Sequence, residues 1–360
     1  MTFPDGYVGW LATGHAAVRT VLADPRFSAR PEQLHNVFAP GSPGDAPPAE
    51  PGIFLDMDAP DHTRYRRLLT GMFTVRRMRQ LSERIEEITA DYLDAMEIGG
   101  DHAELVEAYA QPIPAQLICE LLGIPYEDRE RFQRDAMLVT GLETDGEARI
   151  AAFHAVQKTV YGLIVAKRTH PSDDLLSDLA TTELTDEELV NIGAVLLGAG
   201  LDTTANMLAL GTYALLQHPD QLPLLAADPD QAVEELLRYL TIIPTGARAA
   251  LEDVELAGEL IKAGDTVAFS LHAANRDPIR FPGPDALDLS RKASGHVTFG
   301  HGIHQCLGQQ LARVTMRVAF PALFARFPKL RLTVPADEVP MRTDGTIYGV
   351  FSLPVAWDNS

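Results

Sequence analysis

The most restrictive stretch of this 360-residue chain is Phe-Gly-His-Gly-Ile-His-Gln-Cys-Leu-Gly at residues 299–308. Gly300 and Gly302 permit a tight backbone that side chains resist. The run delivers Cys306 just ahead of a segment, about 307 to 326, whose apolar residues recur at helical spacing. A sulfur at the end of such a loop has backbone N–H groups aimed at it and a helix N-terminus behind it, which stabilises a thiolate. Those are the requirements of a metal ligand, and Gly308 lets the following helix approach a flat cofactor. Two other chemistries fit the loop taken alone: a buried cysteine in a turn, and a Cys306 nucleophile paired with a histidine base.

Composition separates the two cysteines and narrows the partners. Cys119 lies in PIPAQLICELLGIP, where helical apolar spacing marks a packed core thiol. Two lone thiols do not make a disulfide framework and suit a reducing cytoplasm. A formal net charge of -20 repels phosphate backbones and acidic headgroups, which argues against nucleic acid or a membrane surface as partner. No signal-peptide pattern opens the chain, and the apolar run near 190–210 is interrupted by Asn191 and Asp202, so no membrane span is expected.

The patterning predicts a mostly α protein with small β-sheets. A strand is expected over residues 6–10 and a helix over 15–23, followed by a long Pro- and Gly-rich loop (38–60) of the kind that forms lids. Helical spacing continues from Asp61 to about Tyr109, then over 114–122, 127–140, 146–168, 185–217 and 229–240. Residues 251–272 read as a small sheet, 277–295 as a meander, and 329–357 as a strand-rich tail. No linker separates two cores, so residues 1–360 read as one domain.

Three further segments carry polar residues in apolar surroundings. Glu235 and Arg238 lie one turn apart in VEELLRYL, a spacing common on solvent faces but here flanked by apolar residues. In GAGLDTTANM, Gly198 and Gly200 weaken a long apolar helix, and the Thr203 hydroxyl is placed to reach a carbonyl one turn back. Asp202 and Thr203 then form a polar pair that suits proton transfer. In DHTRYRRLL, His62 and Arg66 share one helix face.

Together these segments resemble the cytochrome P450 family. The cysteine run matches its haem loop FxxGxxxCxG, ExxR falls at Glu235 and Arg238, and the acid-alcohol motif AGxDT falls at Ala199, Gly200, Asp202 and Thr203. The resemblance implies a triangular helical bundle around a buried haem b, with Cys306 as iron ligand in a loop that includes Phe299 and Gly300. It assigns the haem propionates to His62, Arg66, Arg248 and His304, and completes the buried ion pair with Arg291. The chain begins where the family's second strand is expected, so an N-terminal helix and first strand are expected to be missing.

An intact acid and alcohol implies dioxygen activation, with Asp202 and Thr203 as the catalytic proton relay. Electrons are expected from a ferredoxin and its reductase, since no flavin, nicotinamide or iron-sulfur motif is present. Arg64, Arg67, Arg313 and Arg317 are the expected basic docking patch. The substrate pocket is expected from Phe38, Ile53 and Phe54, from Val195, Leu196 and Ala199, from Ile242, Ile243, Pro244 and Thr245, and from Ile347 and Tyr348. Such lining suits a bulky hydrophobic secondary metabolite, a macrolide or its aglycone, hydroxylated or epoxidised by a cytoplasmic monomer. A terpenoid, steroid-like or peptide substrate, a non-catalytic haem sensor and a cysteine hydrolase are the rival readings. The last two leave the acid-alcohol or ExxR segments unexplained.

Overall fold

The structure is a computed structural model that describes residues 2–3, 6–35, 46–72, 75–140, 145–343 and 346–358. Phe38, expected in the substrate pocket, lies outside the described residues. Packing divides the chain into two compact units, residues 1–70 with 234–309 and residues 71–233 with 310–360.

In chain order the elements are β1 (Trp10–Ala12), α1 (His15–Ala23), β2 (Phe27–Ser28), α2 (Asp61–Met72), α3 (Val75–Gly99), β3 (His102–Glu104), α4 (Pro112–Leu122), α5 (Tyr126–Thr140), α6 (Gly146–Thr169) and α7 (Leu175–Ala180). They continue as α8 (Asp186–Gln217), α9 (Leu222–Ala227), α10 (Pro229–Leu240), β4 (Thr245–Ala250), β5 (Val254–Leu256), β6 (Glu259–Ile261), β7 (Thr266–Ser270) and α11 (Leu271–Ala274). The tail adds α12 (Gln309–Arg326), β8 (Arg331–Leu332), β9 (Met341–Arg342), β10 (Gly349–Val350) and β11 (Pro354–Ala356).

The first unit is built on a four-stranded sheet in the order β1-β7-β4-β2. Its core buries Val18 and Val21 of α1 against Phe27, Val267, Phe269 and Val297. The strand expected over residues 6–10 forms later: Gly6 turns the chain at φ 90°, Thr2 bridges Val8, and β1 then pairs in parallel with β7.

A buried ion cluster fixes the rest of this unit. Glu235 and Arg238 are both fully buried. Glu235 accepts from Arg238 Nε at 2.7 Å and Nη2 at 2.8 Å, from Arg291 Nε at 3.0 Å and from the Asp288 amide at 3.1 Å. The remaining guanidinium N–H groups of Arg238 reach the carbonyls of Asn275 at 2.9 Å, Pro284 at 2.8 Å and Ala286 at 3.4 Å. Its five donors are thereby all engaged, which is what a buried guanidinium requires.

The second unit is organised around α8. Its N-terminus carries a capping box, with Thr185 Oγ1 accepting from Glu188 N at 3.2 Å and Glu188 Oε2 accepting from Thr185 N at 2.7 Å. Gly193 lets Val160 of α6 come so near that a β-carbon would meet its side chain at 2.8 Å. The helix runs unbroken through residues 198–203: the loosening expected of Gly198 and Gly200 does not interrupt it, because packing overrides propensity. By length and composition α8 could cross a membrane, since its most apolar window has a mean hydropathy of 1.3, and 56% of that window is buried. The buried core helix of a folded domain meets the same test, and Asn191 and Asp202 interrupt the apolar run within it. The single helical stretch expected from Asp61 to Tyr109 is instead α2, α3, β3 and a π-helical turn at Val106–Ala110. Gly100, at φ 136°, ends α3.

Cys119 on α4 is fully buried, and burial raises its thiol to about 11. It is expected to resist alkylation by iodoacetamide at pH 8 in the folded protein and to react fully in urea, as counted by mass spectrometry. Glu235→Ala leaves Arg238 buried without its carboxylate and is expected to lose roughly 3–5 kcal/mol, read from the shift in urea midpoint.

Candidate active site

The cysteine loop is shaped by its glycines and held by its neighbours. Gly300 and Gly302 take φ values of 69° and 75°, which side chains disfavour. At Gly302 a β-carbon would also meet Ala23 Cα at 2.8 Å and the Leu22 carbonyl, so only glycine lets the loop lie against the end of α1. The Cys306 amide donates to the Phe299 carbonyl at 2.9 Å, closing the loop, and the sulfur is half-buried three residues before α12.

Asn275 anchors this loop to the ion cluster. Its side-chain amide donates to Thr241 Oγ1 and Thr298 Oγ1, each at 2.9 Å, while its carbonyl accepts from the Val297 amide at 2.7 Å. Its own backbone carbonyl is one of the acceptors of Arg238. The chain entering the loop is thus tied to α10 through a fully buried residue that the sequence did not single out. Only its position just ahead of the meander, between two motifs, hinted at it.

Four basic residues gather in the same unit. The rings of His62 on α2 and His304 in the cysteine loop lie 4.2 Å apart between centroids. Both nitrogens of His62 and Nδ1 of His304 are buried and have no hydrogen-bond partner among the described residues. Burial pushes the His304 imidazole down to about 3, with Arg248 and His62 adding to the effect. It likewise lowers His62, where Arg66 contributes, and lowers the guanidinium groups of Arg66 and Arg248. Arg248 donates to the Ala247 carbonyl at 2.8 Å and feels the carboxylates of Asp56 and Asp58. Buried donors without acceptors mark a place for an anion. The two propionates of a haem beside Cys306 fit that demand, because each supplies acceptor oxygens and negative charge.

The second unit carries the acid and the alcohol. Thr203 Oγ1 donates to the Ala199 carbonyl at 2.7 Å, one turn back on α8. Asp202 is held by Arg342 of β9, whose Nη1 and Nη2 donate to Oδ1 at 2.8 Å and to Oδ2 at 2.9 Å. Asn206 Nδ2 adds a bond to Oδ1 at 2.8 Å. Arg342 lies 140 residues from Asp202, and no local pattern announced it.

The remaining expected residues fall in both units. In the first, Phe54 is buried with its ring 6.4 Å from that of His62, and Ile53 and Ile243 are half-buried. Ile242 is buried, Pro244 half-buried and Thr245 exposed. In the second, Val195, Leu196 and Ala199 interrupt the burial of α8 with a partly exposed apolar face, and Ile347 and Tyr348 are half-buried. Gly308 has open space where a side chain would stand. Of the basic patch, Arg64 and Arg67 are exposed and Arg313 is half-buried, while Arg317 is already paired with Asp230.

The cytochrome P450 family profile matches residues 220–355. Cytochrome P450 105C1 of Streptomyces sp is 50% identical over 99% of this chain and 91% of its own. The crystal structure of CYP105P1 in complex with filipin I superposes with a TM-score of 0.91 at 41% identity, covering 100% of this chain and 92% of that one. The LnmA cytochrome P450 hydroxylase from the leinamycin biosynthetic pathway of Streptomyces atroolivaceus S-140 superposes with a TM-score of 0.88 at 43% identity, covering 97% and 90%. With this identity along nearly the whole chain and with these folds, the chain belongs to the cytochrome P450 family of haem b-dependent monooxygenases.

Proposed function

We propose that Cys306 is the thiolate ligand of the haem iron and that the chain oxidises a bulky, mainly hydrophobic secondary metabolite. The observation that carries the reading is the cluster of His62, Arg66, Arg248 and His304, with orphaned buried nitrogens, in the unit that presents Cys306. Bound there, haem supplies the iron at which dioxygen is bound and reduced. Cys306 donates electron density to that iron through its sulfur, while the loop closed on the Phe299 carbonyl holds the sulfur in place. The two histidines and two arginines hold the propionates. Asp202 and Thr203 hold and pass protons, a positioned acid role of the kind that contributes typically about 10²- to 10⁴-fold.

By the family resemblance, the apolar side chains that would orient the substrate are Ile53, Phe54, Ile243, Val195, Leu196, Ala199, Ile347 and Tyr348. The proposed class is a macrolide or its aglycone; the filipin I complex of one relative and the leinamycin pathway of another support a secondary metabolite as substrate. Hydroxylation is the reaction favoured by the name of the second. Electrons come from a ferredoxin and its reductase, meeting Arg64, Arg67 and Arg313 on an otherwise acidic protein. The enzyme works as a cytoplasmic monomer.

The reduced, CO-bound spectrum tests the ligand. A red-shifted thiolate-type Soret band is expected in the wild type and in Cys119→Ala, and its loss in Cys306→Ala. A band that persists in Cys306→Ala rules the assignment out. For the substrate, titration of the ferric enzyme with filipin I and other large macrolactones is expected to give a low-to-high spin shift for at least one. Shifts given only by small terpenoids or peptides would overturn the macrolide reading.

A further inference from the structure

The seat of Asp202 is more elaborate than a lone acid on an apolar helix needs. Oδ1 accepts two donors, Arg342 Nη1 and Asn206 Nδ2, and Oδ2 accepts Arg342 Nη2. Asn206 is buried and braces its amide against the Asp202 carbonyl at 2.9 Å as well. On its other side, Gly349 of β10 packs so tightly that any β-carbon would fall on the Asn206 amide oxygen. β9 pairs with β10, with Arg342 opposite Gly349, so one register places both the clamp and the glycine that admits it. The Asp202 and Arg342 side chains are only 13% and 12% exposed, where a bidentate pair is screened little by water.

We propose that Arg342 is a positioning residue for Asp202, fixing the plane of its carboxylate and leaving Oδ2 as the oxygen that exchanges the proton. This rests on the reading of Asp202 as the proton-delivering acid. With two donors, Oδ1 has no lone pair to spare; Oδ2, with one donor among the described residues, keeps one. The fork fixes the carboxylate plane, because a planar guanidinium engages both oxygens at once and a lysine ammonium does not; the Asn206 bond then sets which oxygen is left. Arg342 is carried by a hairpin whose connection includes Ile347 and Tyr348. The position of the acid is therefore joined to a segment proposed to touch substrate.

The test uses haem-loaded enzyme with a plant-type ferredoxin and its reductase in excess, following NADPH oxidation under oxygen in H₂O and D₂O without added organic substrate. Asp202→Asn is expected to slow oxidation by roughly 100-fold and to enlarge the solvent isotope effect. Arg342→Gln is expected to slow it by roughly tenfold with a similarly enlarged isotope effect, at unchanged haem content and CO spectrum. Arg342→Lys should fall between Arg342→Gln and wild type, and the double variant should be no slower than Asp202→Asn alone. In thermal unfolding of the same proteins, the two single variants should be non-additive. If Asp202→Asn is impaired while Arg342→Gln keeps the wild-type rate and isotope effect, Arg342 does not position the acid. If Asp202→Asn itself behaves as wild type, the proton-relay reading fails instead. Should Arg342→Gln not retain haem, Arg342→Lys decides: an enlarged isotope effect supports the fork, and an unchanged one overturns it.

Discussion

A carboxylate with no exposed surface sits at Glu235, and the first unit is arranged around its needs. Removing a carboxylate and a guanidinium from water carries a desolvation penalty of roughly several kcal/mol per ion, offset only when donors surround the acid and acceptors surround the base. Four N–H groups meet Glu235, and three backbone carbonyls of the 275–286 region complete Arg238. Those carbonyls lie at the end of α11 and in the chain beyond it, where the backbone makes only isolated turn bonds of its own. The cluster thus gives the irregular meander a fixed path. Asn275 passes that fixed path on to Val297 and Thr298, and the cysteine loop starts from there.

The loop's rigidity and the unsatisfied bases beside it are two sides of one design. Gly300 and Gly302 accept left-handed backbone so that Cys306 stands at the loop's end, and the same loop brings His304 against His62. Neutral, buried imidazoles and desolvated guanidinium groups are unfavourable on their own terms. Under the proposed haem site, carboxylate groups of the cofactor would satisfy them. Folding of this unit and occupation by a dianionic ring would then be coupled, as for any site whose ligand satisfies buried groups.

Much of this was legible because the chemistry is local. Ten residues carry the cysteine loop, and Glu235 with Arg238 is a one-turn spacing on an apolar helix. Arg291 followed from resemblance, and the structure places it at 3.0 Å from Glu235. The helix at His15–Ala23 was legible too, since Asp24-Pro25 stops it. What stayed hidden depends on contacts remote in sequence. Arg342 reaches Asp202 across 140 residues by way of a two-residue strand, too short to register as a period. Asn275 stands in a stretch with no repeat at all. Gly198 and Gly200 leave α8 uninterrupted for the complementary reason: propensity is worth about 1 kcal/mol per glycine, and the packing and capping of a 32-residue helix outweigh it.

The central claim is that a single sulfur, that of Cys306, bonds the iron. Iron K-edge X-ray absorption of the purified ferric enzyme reads the ligand directly. The account expects one sulfur neighbour beside the ring nitrogens in the wild type and in Cys119→Ala, absent in Cys306→Ser. An iron surrounded only by nitrogen and oxygen in the wild type, or a sulfur neighbour that survives Cys306→Ser, would contradict it.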